Sequence, residues 1–63
     1  MENKLQPTMY FVRVYEGSCN FEYEYAGFEQ AESHLELELE SGHRASLFAH
    51  YFDGRVSWDE CIR

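Results

Sequence analysis

Basic residues are scarce in this sequence. Five Lys and Arg stand against twelve Asp and Glu, for a formal net charge of -7. No Lys or Arg occurs between Arg13 and Arg44, while eight glutamates fall in that interval. Binding to phosphates needs the opposite sign, so direct nucleic-acid or anionic-membrane binding is disfavoured. The chain also lacks an apolar run of membrane-spanning length, and Met1-Glu2-Asn3-Lys4 is not followed by the apolar core of a signal peptide. Cysteines number two, Cys19 and Cys61. Without secretory context they suit reduced cytoplasmic thiols, and spacing alone leaves a bridge between them open.

Catalytic signatures are missing too. His34, His43, His50 and the two cysteines form no CxxC, HxxxH or HExxH spacing, so no metal and no cofactor is expected. There is no glycine-rich phosphate loop, nucleophile elbow or Cys/His pattern. Asp59 and Glu60 are adjacent, so on a strand they point to opposite faces and cannot act as a carboxylate pair. No catalytic residue is assigned, and the chain reads as a binding protein.

What is present is a dense aromatic supply. Five Phe, five Tyr and one Trp serve a chain of 63 residues, which forms one domain (1–63) with little surface to bury. Residues 1–7 read as a polar, frayed start. Thr8 to Glu16 is β-branched and aromatic, apolar on both faces, and reads as an interior strand. Gly17-Ser18-Cys19-Asn20 reads as a turn. Phe21-Glu22-Tyr23-Glu24-Tyr25 alternates strictly, with rings on one side and glutamates on the other, as a half-buried strand in a hairpin with the first.

Leu35-Glu36-Leu37-Glu38-Leu39-Glu40 also alternates. Yet Phe28, Ala31, Leu35 and Leu39 fall within roughly 80° at helical spacing, and Leu, Glu, Gln and Ala are helix formers. Gly42 is placed for a left-handed cap. The segment from Phe28 to Ser41 is therefore read as a helix. Arg44 to Phe52 is a third strand, Asp53-Gly54 a two-residue hairpin turn, and Arg55 to Cys61 a fourth strand with Val56 and Trp58 on its apolar face. The expected fold is α+β, in the order β-β-α-β-β. It is a four-stranded antiparallel sheet with one helix packed on one face.

On that helix Glu29, Glu32, Glu36 and Glu40 form one longitudinal row, rising about 4.5 to 6 Å per step. Like charges at these spacings cost about 0.2–0.5 kcal/mol per pair, so the row costs about 1 kcal/mol, and no lysine at i+4 relieves it. Glu38 and Glu40 further oppose the helix dipole. Glu22 and Glu24 on the second strand would widen the patch. Such a row suits a basic protein groove evolved for nucleic acid, with steering and salt dependence to match. A merely solvated acidic face is the competing reading.

A small acidic chain ordered β-β-α-β-β, with the Asp53-Gly54 hairpin and a tail bearing Trp58 and Cys61, resembles some phage-encoded anti-CRISPR proteins. The resemblance implies a non-catalytic inhibitor, cytoplasmic in an infected bacterial host. Its partner would be a CRISPR effector subunit, of a type I surveillance complex, blocked from target DNA by mimicry. The alternative is an interaction module, monomeric or weakly dimeric, that associates along a sheet edge through Tyr10, Tyr15, Tyr23, Phe48 or Phe52.

Overall fold

The computed structural model describes residues 5–63. Of the segment expected to fray, residues 1–4 lie outside the described residues, and residues 5–7 carry no regular structure. Four strands and one helix follow: β1 (Met9–Glu16), β2 (Cys19–Tyr25), α1 (Phe28–Glu40), β3 (Arg44–Phe52) and β4 (Ser57–Cys61). All pairings are antiparallel, in the spatial order β2-β1-β3-β4. The expected class, element order and interior placement of β1 all hold.

Strand alternation decides the layers. Tyr10, Val12 and Val14 pair with Tyr25, Tyr23 and Phe21 on one side and with Ala49, Leu47 and Ala45 on the other. These residues make one face, and α1 lies across it on β1, β2 and β3, leaving β4 outside its footprint. Ala31 and Leu35 of α1 meet Val12, Val14 and Leu47 in the core. Leu35, Leu47, Val12 and Val14 are the largest fully buried side chains. Each stabilises the fold by about 1.5–3 kcal/mol.

The helix ends as its sequence directs. The amides of Gly42 and His43 donate to the carbonyls of Leu39 and Glu38 at 3.0 Å each, a Schellman closure that needs the positive φ of Gly42, 86°. Periodicity thus wins over alternation: Leu35 is buried, whereas Leu37 is 64% exposed on the outer side of α1.

The turns differ from expectation in two places. Only Gly17 and Ser18 lie between Glu16 and Cys19, with Gly17 at φ 59, as in a type II′ turn, so Cys19 and Asn20 belong to β2. At the other hairpin Phe52 pairs with Ser57, which makes the connection four residues long and not two. Asp53 explains the extra length, because its Oδ1 accepts from the amides of Arg55 (2.8 Å) and Val56 (3.0 Å). Val56 therefore sits in the turn, 58% exposed, and is not on the apolar face of β4. Trp58 does stand on the helix side of β4, stacked on Tyr51 at 5.4 Å.

Cys19 and Cys61 are both free and exposed. They lie on β2 and β4, the two edge strands, three strand spacings or about 14 Å apart. A bridge between them is ruled out in this fold.

Candidate functional site

The six glutamates singled out by sequence divide between two sides of the molecule. Glu29, Glu32, Glu36 and Glu40 line one flank of α1, as the helical spacing requires. Glu22 and Glu24 pair across β1 with Arg13 and Phe11, on the sheet face opposite the helix. The sheet separates the two groups, so Glu22 and Glu24 do not widen the helical row.

Nor is the row uncompensated. Nη1 of Arg63 lies 3.1 Å from Glu32 and 3.3 Å from Glu36. A bulge brings it there: the amides of Ile62 and Arg63 both donate to the carbonyl of Leu47, at 2.9 and 3.3 Å, so two residues oppose one. Leu47 faces the helix, and the bulge turns Arg63 to that same side. One guanidinium thus spans the middle of the row, while Glu29 and Glu40 at its ends form no ion pair among the described residues.

On the other flank of α1 stands a cluster that the sequence reading missed. The Nδ1 of His34 lies 2.7 Å from the Tyr25 hydroxyl, and its Nε2 lies 2.7 Å from Glu38. The second Glu38 oxygen is 2.6 Å from Nδ1 of His43. A carboxylate only accepts, so both imidazoles donate to Glu38, and Nδ1 of a neutral His34 accepts from Tyr25. These bonds, first from His43 and then from His34, hold the Glu38 carboxyl below its ordinary range against some desolvation. The ring of Tyr23 meets His34 edge-on at 4.7 Å. The cluster ties the end of α1 to β2, and it corrects the expectation that Glu38 goes unrelieved at the helix C-terminus. Its sequence signal was the i, i+4 spacing of His34 and Glu38.

The open sheet face is built around two rings. Phe11 and Phe48 stack at 4.9 Å and 9°, and the Arg13 guanidinium covers Phe48 at 4.7 Å from its centroid. Glu22 holds Arg13 from the side, with Nη2 at 2.7 Å and Nε at 2.9 Å. That contact is the first cause of the raised Arg13 pKa. His50 and Asp59 pair at 2.6 Å across β3 and β4. Glu24 is one of the residues that line the open depression on this face, about 430 Å³. Of the aromatics offered for an interface, Tyr23 and Phe52 are exposed, whereas Tyr10, Tyr15 and Phe48 are part-buried.

Among the described residues no group of three His, Cys, Asp or Glu is placed to hold a metal ion, and no helix is long and apolar enough to cross a membrane. No family model matches this chain, and no curated protein or solved structure matches it either.

Proposed function

We propose that this chain is a non-catalytic binding protein whose helix flank docks on a basic protein groove that otherwise holds nucleic acid. The row of Glu29, Glu32, Glu36 and Glu40 is the observation that carries the reading. It is held straight by a packed helix, spans about 16 Å, and repeats on the order of the phosphate spacing. Arg63 supports it as an internal example, since one guanidinium already fits between two carboxylates a turn apart. The partner implied by the resemblance is a CRISPR effector subunit, whose target-DNA path the row would occupy.

The test reverses the two ends of the row and leaves Arg63 its partners. The Glu29→Lys/Glu40→Lys protein should keep its circular-dichroism spectrum and lose binding to a type I surveillance complex. The parent should compete with target DNA and weaken steeply between low and high salt. If the folded double variant blocks DNA binding as well as the parent does, mimicry by this row is wrong.

A second reading, association through exposed aromatics and a sheet edge, is favoured by Phe21, Tyr23 and Phe52, exposed by 45%, 44% and 52%. Sedimentation distinguishes it, because an aromatic dimer persists in high salt and a monomer throughout counts against it.

A further inference from the structure

The outer edge of β2 is unpaired among the described residues. Glu16 and Cys19 flank a two-residue turn, so they exchange hydrogen bonds, and the antiparallel alternation fixes the rest. Phe21, Tyr23 and Tyr25 turn their amides and carbonyls inward to β1. Asn20, Glu22 and Glu24 turn theirs outward, so two of the three outward-facing backbone units belong to carboxylate residues. On the opposite face the rings of Phe21 and Tyr23 remain 45% and 44% exposed. β2 holds no Lys, no Pro and no bulge, so Glu22 and Glu24 are what guards this edge, and they guard it only against a strand of like charge.

A second copy meets like charge at this edge in its longest overlap. Full antiparallel overlap of two β2 strands sets Glu22 opposite its own copy. A two-residue slip toward Tyr25 sets Glu22 opposite Glu24 twice. Like charges directly opposed destabilise a strand pair, and each chain carries a net charge of -7 besides. The same arithmetic favours a cationic strand. Arg13 already neutralises Glu22 from the inside, so Glu24 carries the larger share of the recognition.

We propose that the β2 edge takes up an extended segment of a basic protein, in which Lys or Arg alternates with an apolar residue, as an added antiparallel strand. Its cations face Glu22 and Glu24, its apolar side chains cover Phe21 and Tyr23, and its backbone pairs with Asn20, Glu22 and Glu24. This surface goes beyond the helix row and does not depend on it.

The probe is a blocked heptapeptide of alternating Lys and Val, compared with its Glu/Val counterpart by amide NMR and hydrogen exchange on the full chain. The Lys peptide should shift and protect the amides of Asn20, Glu22 and Glu24. Glu24→Lys should weaken it by about tenfold, and Glu24→Gln by less. Glu29→Lys/Glu40→Lys should leave peptide binding within about twofold, so failure of the helix row and failure of the edge are told apart. Equal binding of the Glu peptide, shifts confined to α1, an indifferent Glu24→Lys protein, or no shift at millimolar peptide would each overturn the proposal.

Discussion

Leu35, Leu37 and Leu39 sit two apart, and their energetic ranking separates a helix from a strand. In a strand all three would share one face and one cost. In α1 Leu35 is 1% exposed, Leu39 44% and Leu37 64%. Truncating Leu35 to Ala removes a side chain packed on Val12, Val14 and Leu47, at a cost of about 2–5 kcal/mol. A chain of 63 residues has about 3–9 kcal/mol of stability in all. Leu35→Ala should therefore remove a large part of the stability and lower the urea midpoint in proportion. Leu39→Ala should cost about 1 kcal/mol, and Leu37→Ala no more than about 0.5 kcal/mol. The assay is urea unfolding followed by far-ultraviolet circular dichroism, with an unchanged slope confirming that the same surface is exposed. Equal losses at the three positions, or the largest at Leu37, would refute the helical packing.

Gly42→Ala places a Cβ at φ 86° and should cost about 1–2 kcal/mol, read as a fall in melting temperature of about 4–8 °C per kcal/mol. Asp53 is held below its ordinary 3.8 by the amides of Val56 and then Arg55. Its contribution is complete above the unfolded value and disappears as pH falls through the lower folded value. A carboxyl NMR titration should show the depressed midpoint, and Asp53→Asn should lose that part of the acid dependence. A double-mutant cycle on Arg13 and Glu22 should give a coupling of about 0.2–1 kcal/mol that shrinks in salt, since both side chains are part exposed. Arg13→Ala alone should cost more than that coupling, because it also uncovers Phe48.

Most of the fold was legible because local signals agreed. The β-branched and aromatic run of β1 and the ring/glutamate alternation of β2 each point one way, and in the Leu-Glu segment helical periodicity, helix-forming residues and Gly42 outweigh the alternation. The last turn was not legible: Asp-Gly suggests a two-residue loop, and only the side-chain bonds of Asp53 show why Val56 is drawn into the connection. The helical row was readable from its spacing. Its counter-charge was not, because Arg63 reaches Glu32 and Glu36 through a bulge that leaves no local pattern. Glu22 and Glu24 are a different case. The alternation that sends Tyr23 and Tyr25 toward the helix already sends both glutamates away from it, so their separation from the row was present in the sequence.

The strand order has a consequence for how the chain reaches this structure. Each edge strand is the hairpin partner of its inner neighbour, so β1–β2 and β3–β4 close through short turns. Only β1–β3 joins distant parts of the chain, and all of α1 lies between them. That docking closes the longest loop, and it brings Val12 against Leu47 and Leu35 over both. The topology thus concentrates its loop-closure cost in one pairing, with the helix inside the loop that must close.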